Sequence, residues 1–468
     1  MGRSKSKYLL KNIGFLAISN FSTKILVFLL VPLYTNVLTT AEYGSYDLVY
    51  TTVSLLIPVF TLDIVDATLR FALDEGKSSK QVFSISIKYI GIGLALSCAF
   101  SIANAVFGIS KTISEYSIYF VCMFLSISAN GVISAFARGT DKVKEASIAG
   151  VIGTAITVAL NILFLLPLKM GLHGYFLATI LGYFSQTIYL IFTLKVWRYI
   201  GFKKDSKGLN KEMICFSRPL IINNVSWWIN NASDRYIVTF FCGVAQNGIY
   251  SIGYKIPTIL SVFQSIFQQA WMISAVHDFD KDDTDGFFSN TYKIYNFGMV
   301  FVCAGLILFD KFLARLFYAK EFYVAWRYVP VLTIGFVFVA IANYIGGVFQ
   351  AVKDTKIITL STLIGAGVNT LLNFVLVYSI GAFGAALATC ISYYVVWIIR
   401  IVYVKKYISL HINIFKDHIG YVLLISQTIV CELSNGIISY LIQIIFIGLL
   451  LILYRNETTE IVKRAFKR

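Results

Sequence analysis

A chain of 468 residues that is 57% hydrophobic and only 14% charged, with a mean hydropathy of +0.74, is not an ordinary soluble domain. Fourteen apolar stretches, at about 20 residues per span, consume most of its length and leave connections too short for a folded soluble domain. That excludes a cytosolic enzyme, a receptor with a folded ectodomain, and a transporter carrying its own nucleotide-binding domain.

In chain order, spans 1 to 14 are read at 12–37, 44–69, 82–107, 115–137, 147–168, 172–196, 212–241, 248–275, 289–309, 324–350, 357–379, 382–404, 414–433 and 436–454. The first is too long for a signal peptide and lacks a small-residue cleavage site, so it is expected to stay as a helix. The net charge of +16 marks a membrane side and not nucleic acid. With the N-terminus inside, the external segments hold only Lys111, Lys169, Lys311, Arg315 and Lys320, and the positive-inside rule fixes that orientation. Both termini are then expected in the cytoplasm. One inner loop, His277 to Asn290, is acidic instead.

Signs of catalysis fail one by one. The seven cysteines (Cys98, Cys122, Cys215, Cys242, Cys303, Cys390 and Cys431) lie in apolar stretches without CxxC spacing and read as small core residues. The histidines His173, His277, His411 and His418 form no HExxH, so no metal site is expected. Gly76-Lys77-Ser78 imitates the end of a phosphate-binding loop, but its first glycine would fall at Phe71 and no strand precedes it. Asp280-Lys281-Asp282-Asp283-Thr284-Asp285-Gly286 has the DxD spacing of metal-dependent sugar transferases. As a calcium loop it would place Lys281 and Tyr292 at ligand positions, and both fail. A solvated acidic loop is the plainer reading. No cofactor is expected and the protein is not read as an enzyme.

An internal repeat carries the architecture. Ala41, Gly44, Tyr46 and Tyr50 match Ala245, Gly248, Tyr250 and Tyr254 at an offset of 204, which also pairs Asn20 with Asn224 and Ser22 with Ser226. Gly171, Gly174, Leu177, Ala178 and Thr179 match Gly381, Gly384, Leu387, Ala388 and Thr389 at an offset of 210, and Asn161 pairs with Asn373. The fold class is therefore an all-α membrane protein of about 14 helices: a six-helix lobe over 1–200, a second in parallel over 201–410, and a helix pair with a basic tail over 411–468. Parallel lobes about an axis along the membrane normal suggest a secondary transporter with a midplane site.

Charged residues inside spans locate that site, because each costs about 2.5–3.5 kcal/mol at a helix centre on insertion scales and so faces a wet interior. Lys24 lies near the middle of span 1, one turn from Asn20. Two stripes run along span 7: Asn223, Trp227, Asn230, Asp234 and Asn224, Trp228, Asn231, Arg235. Lys255 lies on span 8 with Ser251 and Thr258 on its face. Lys24, Arg235 and Lys255 are expected to bind substrate with Asn20, Asn224, Trp228 and Asn231. On span 2, Asp66 and Arg70 are an i,i+4 pair suited to structural pairing, to a closing gate or to substrate contact. Asp63, one turn from Asp66, suits a proton or sodium ion or a partner for Lys88. Asp63, Asp66 and Asp234 are the carboxylates placed for ion coupling. Lys88 and Arg218 lie close enough to the cytoplasm to snorkel, and Arg327 reads as an interface anchor.

Asp234-Arg235 before a turn, then Gly248-Ile249-Tyr250-Ser251 and Lys255-Ile256, with Arg218-Pro219-Leu220-Ile221 upstream, resemble the flippases of lipid-linked oligosaccharide repeat units. These belong to the multidrug/oligosaccharidyl-lipid/polysaccharide exporter superfamily, and the resemblance covers residues 7 to 405. It implies a V-shaped pair of six-helix lobes around a cationic cavity. Such a protein moves undecaprenyl-pyrophosphate-linked glycans, O-antigen or capsule units, across the bacterial inner membrane. Its partners would be that glycan, membrane lipids, H+ or Na+, and the polymerase and glycosyltransferases of the pathway, with no nucleic acid. The helix pair over 414–454 departs from twelve-helix members and resembles the fourteen-helix peptidoglycan-precursor flippases. A lipid II type flippase, a drug/cation antiporter of the superfamily and a membrane glycosyltransferase or polymerase stay open as alternatives.

Overall fold

The computed structural model describes residues 26–466 apart from 27, 75, 202–206, 278, 353, 355 and 435. Asn20, Lys24 and most of span 1 lie outside the described residues. Among the described residues the chain is helical throughout, without strands. It divides into two compact units, Met1–Trp228 and Ile229–Arg468.

The first unit contains α1 (Val31–Val37), α2 (Thr40–Phe60), α3 (Ile64–Ala72), α4 (Ser79–Phe107), α5 (Lys111–Glu115), α6 (Ser117–Gly139), α7 (Val143–Leu165) and α8 (Gly171–Leu194). A capping box starts α2: Thr39 Oγ1 accepts from the Glu42 amide at 3.2 Å while Glu42 Oε2 accepts from the Thr39 amide at 2.8 Å. The expected single span over 44–69 is a broken one. α2 and α3 meet at 57°, with Pro58 inside the last turn of α2 and Leu62 and Asp63 both in the left-handed region, φ 52°. A proline cannot donate to the ladder, and two left-handed residues turn the chain before helix resumes. At the core of this unit α6 packs against α2, α3, α4 and α8.

A continuous helix, α9 (Lys207–Cys242), contains the boundary between units. The second unit continues with α10 (Val244–Gly253), α11 (Thr258–His277), α12 (Phe287–Leu308), α13 (Asp310–Phe317), α14 (Val329–Ala351), α15 (Lys356–Ile380), α16 (Ala382–Val404), α17 (Ile414–Leu433), α18 (Gly436–Leu453) and α19 (Arg455–Phe466). Span 8 also breaks, at Tyr254–Pro257, where Pro257 again withholds a donor and Lys255 sits in the turn with its amide on Ile252 O at 2.9 Å. Ten helices among the described residues are long and apolar enough to cross a membrane, or eleven with the bent α2–α3 pair. The difference from fourteen has physical causes. Span 1 is largely undescribed, α9 is diluted by its polar stripes, and span 8 is broken.

Burial separates lipid-facing from core helices in the second unit. In α14, 83% of the apolar window is buried, against 28% in α15 and 17% in α18. α14 packs on α11, α12, α16 and α17 as the axis of the unit, just as α6 does in the first. The outward side chains are large and apolar, such as Phe240, Leu371 and Tyr378 at 80%, 66% and 78% exposed. Water would penalise that surface and hydrocarbon does not. The chain is a multi-pass membrane protein.

The repeated Gly-x-x-Gly turns have a steric reason. A Cβ on Gly174 would lie 2.8 Å from Phe164 Cβ, and one on Gly384 would lie 2.3 Å from Leu376 O. Gly171 and Gly381 begin the same hairpins at φ +53° and +67°. Each turn therefore closes α7 on α8, or α15 on α16, too tightly for any larger residue.

Candidate functional site

In the second unit α9 buries Asn230 and Asp234, with Arg235 half-buried and Asn231 exposed beside them. Asp234, 1% exposed, accepts through Oδ2 from the hydroxyls of Tyr250 and Tyr254 at 2.6 and 2.7 Å. Its Oδ1 accepts from the Arg235 amide at 2.9 Å, with the Arg235 guanidinium at 3.6 Å. That guanidinium donates to Asn231 O at 2.7 Å and lies 5.0 Å over the ring of Tyr254. Asn231 Oδ1 accepts from the Tyr393 hydroxyl of α16 at 2.7 Å, and Asn230 Nδ2 donates to Thr362 O of α15 at 2.9 Å. Behind them Asn369 Nδ2 reaches Thr389 Oγ1 and Ser392 Oγ at 3.3 and 3.4 Å. The helical spacing of four, three, four thus places Asn230 and Asp234 against the core and Asn231 and Arg235 beside them. Lys255, half-buried, follows Tyr254 directly in the chain. Buried Asp234 is paired with the half-buried Arg235 cation, as a low-dielectric bundle requires.

The first unit repeats the tyrosines but not the charges. Tyr46 and Tyr50, counterparts of Tyr250 and Tyr254, stack at 6.1 Å, and Tyr46 bonds Thr179 Oγ1 at 3.1 Å. At the same offset of 204 the counterparts of Asp234 and Arg235 are Leu30 and Val31. The ion pair is therefore present in the second repeat alone.

Of the remaining expected residues, all but Arg327 fall in the first unit. Asp63 is 5% exposed, and the side chains of Asp66 and Asn224 face it. Lys88 is not its partner: it is exposed and lies 5.7 Å from the Tyr89 ring. Asp66 and Arg70 share a face of α3 but form no ion pair among the described residues, since the acidic neighbour of Asp66 is Asp63. Trp228 Nε1 donates to Thr51 O at 3.0 Å, which anchors one edge of the indole in the wall of α2. Arg327 does not merely float at an interface, for its guanidinium meets Glu432 Oε1 at 2.6 Å.

The acidic loop spends its carboxylates on the backbone. Asp283, 3% exposed, accepts from the Phe288 and Ser289 amides at 2.9 Å each and so caps α12. Asp280 accepts from the amide and hydroxyl of Thr284 at 2.8 and 2.6 Å, and these bonds hold its carboxyl below the ordinary carboxylate range. Among the described residues no group of three or more His, Cys, Asp or Glu could hold a metal.

Two buried charges went unread in the sequence. Arg400, 1% exposed, donates to Ser361 Oγ at 3.0 Å, Ala342 O at 2.8 Å, Asn343 Oδ1 at 3.2 Å and Thr362 Oγ1 at 3.2 Å, tying α14, α15 and α16 together. Near the end of an apolar span, its position alone reads as snorkelling. Asp310 at the start of α13 is fully buried, and neither carboxylate oxygen has a hydrogen-bond partner. Burial pushes its carboxyl well above the ordinary range.

Comparison with known proteins agrees with this architecture. Residues 9–272 match the family described as polysaccharide biosynthesis protein, and residues 219–375 match the MatE family. The chain is 21% identical over 213 residues to the probable low-salt glycan biosynthesis flippase Agl15 of Haloferax volcanii, spanning 44% of this chain and 45% of that protein. An uncharacterised membrane protein of Methanocaldococcus jannaschii is 23% identical over 318 residues, 61% of this chain and 62% of its own. The match thus spans about half to three fifths of these relatives. Among solved structures, the lipid II flippase MurJ in an inward closed conformation superposes with a TM-score of 0.74 at 16% identity, over 96% of this chain and 99% of that one. An inward-facing multidrug resistance MATE family transporter of the MOP superfamily gives 0.62 at 15% identity, over 89% and 96%. With more than half of its length inside the family match and the fold shared along nearly all of it, the chain belongs to the polysaccharide biosynthesis protein family.

Proposed function

We propose that this protein is an alternating-access flippase that carries an oligosaccharide on undecaprenyl pyrophosphate, an O-antigen or capsule unit, from the cytoplasmic to the outer leaflet of the inner membrane. The observation that carries the reading is the Arg235 guanidinium within the long helix α9, lying over Tyr254 and paired with Asp234. A pyrophosphate is anionic and a glycan polar, so both need fixed donors where the bilayer offers none. Arg235 and Lys255 supply charge, and Lys24 is proposed to add a third cation from the first lobe. Asn20, Asn224 and Asn231 suit sugar hydroxyls, and Trp228 presents a ring face to them. Asp63 or Asp66 is the proposed coupling carboxylate, with Asp234 the alternative. Loading it with H+ or Na+ changes the charge near the headgroup, which supplies the differential affinity that alternating access needs. Both termini lie in the cytoplasm in this proposal, where the polymerase and glycosyltransferases of the pathway are partners.

The test is purified protein in liposomes, a labelled polyprenyl-pyrophosphate oligosaccharide inside, and an imposed proton or sodium gradient. Accelerated appearance of label outside is the expected result. Transport of lipid II in preference to the oligosaccharide reassigns the substrate, and extrusion of cationic drugs without either lipid reassigns the protein to the antiporters.

A further inference from the structure

The tyrosines that grip Asp234 stand on a short support. α10 has ten residues, too few to be stable as a helix by itself. It begins after Gly243, at φ +87°, with no side chain capping its first amides, and ends at the Tyr254–Pro257 break. For Tyr250 and Tyr254 to reach one carboxylate, contacts outside α9 must hold α10 in place.

The internal repeat points to those contacts. At the offset of 204, Gly243 and Gln246 are the counterparts of Thr39 and Glu42, which cap α2 through each other in the first unit. Glycine at 243 removes that cap, and half-buried Gln246 instead donates its side-chain amide to the hydroxyl of Tyr328. The Tyr328 ring, 5% exposed, meets Tyr250 edge to face with 5.7 Å between ring centres. One side chain thus spans a full turn of α10, from Gln246 to Tyr250. Gly253 completes the contact, for a Cβ there would lie 3.1 Å from Tyr328 Cβ and 3.4 Å from Ala325 O.

Tyr328 is fixed in turn from the other side. It follows a 3-10 segment, Lys320–Arg327, and Arg327 gives Nε and Nη2 to Glu432 Oε1 at 2.7 and 2.6 Å. Lys311 Nζ donates to Ser434 O at 2.9 Å and lies 4.4 Å from the Trp326 ring. Both anchors sit at the end of α17, the first of the appended helices. We propose that Tyr328 is a positioning residue for the cation site, holding α10 so that both phenols meet Asp234 and Arg235 lies over Tyr254, and that α17 holds Tyr328 there through the Arg327–Glu432 pair. The appended helices then tune headgroup affinity from the far end of the chain, a role that rests on Arg235 being the headgroup contact.

Two readouts on the full-length protein test this. In liposomes with a labelled polyprenyl-pyrophosphate oligosaccharide, Tyr328→Phe and Gln246→Leu should each raise KM roughly three- to tenfold, the net worth of one hydrogen bond, with kcat within about twofold of the parent. Arg327→Glu and Glu432→Arg should each raise KM about two- to threefold, as a half-exposed pair allows, and the double swap should restore it. Without substrate, phenylglyoxal attacks accessible guanidinium groups, and the Arg235 side chain is 14% exposed. Peptide mass mapping should show Arg235 modified faster in Tyr328→Phe than in the parent, and at the parent rate in Tyr378→Phe. An unchanged rate in Tyr328→Phe overturns the proposal whatever KM does, and a double swap that leaves KM raised removes α17 from it. Faster modification with a KM indifferent to Arg235→Ala keeps the positioning role and removes the headgroup contact instead.

Discussion

Tyr250 donates its hydroxyl to Asp234 over 2.6 Å, and the donor sits sixteen residues further along on a different helix. That bond locks α10 onto α9 ahead of the break at Tyr254–Pro257. Tyr250→Phe removes one donor from a buried carboxylate while keeping the ring, so it should cost roughly 1–3 kcal/mol of stability. Thermal unfolding in detergent, compared with Tyr378→Phe at an exposed tyrosine, checks the value.

Arg235 should tolerate lysine poorly. Its guanidinium bonds Asn231 O, faces Asp234 and lies over Tyr254 at once, and an ammonium cannot match that planar set. Arg235→Lys is expected to reduce lipid-linked glycan transport several-fold and Arg235→Ala further, with protein level in the membrane unchanged. Lys255→Ala and Lys24→Ala should also lower it. Normal glycan display by all three alanine variants removes the cationic headgroup site.

The acidic loop divides into structural and dispensable members. Asp283→Ala deletes a cap on α12 and should cost about 1 kcal/mol, visible as a lower unfolding temperature. Asp282→Asn should leave both stability and transport unchanged. Sugar-nucleotide turnover lost in Asp282→Asn would instead favour a glycosyltransferase.

Asp310 should make stability fall with rising pH. Its folded carboxyl titrates above the unfolded one, so the folded state binds more protons between the two values. The contribution is complete below the unfolded pKa, near 4, and is lost as pH rises toward the folded value. Asp310→Asn removes the titration, and its unfolding temperature should vary less between pH 5 and 8 than that of the parent protein.

Much of this was legible in the residues because the bilayer imposes simple rules. Apolar length gave the helices, and the Gly171/Gly381 and Tyr46/Tyr250 offsets gave the repeat. The polar stripes of α9 correctly placed Asp234 and Arg235 side by side with Asn231. What escaped depended on tertiary partners. Nothing along the chain says that Asp63 sits at a left-handed break, that Lys88 faces away from it, or that Arg400 finds four oxygens on two neighbouring helices. The contrast of Leu30 with Asp234 was available from the offset alone, since a charge present in only one copy marks where the copies differ in chemistry.

The tight turn at Gly381 also bears on how the chain is made. α15 and α16 are separated by a single residue, and the amide of Asn369 on the first finds Thr389 and Ser392 only on the second. Released into lipid by itself, α15 would keep the bond from Asn373 Nδ2 to Asn369 Oδ1 but leave Asn369 Nδ2 without Thr389 and Ser392, at a cost of about 1–3 kcal/mol. The two helices are therefore expected to leave the translocation channel as one hairpin, after Ser392 has been synthesised. A residue larger than glycine at 384 would then act as a biogenesis defect, read by proteolysis of new chains before any effect on transport could be measured.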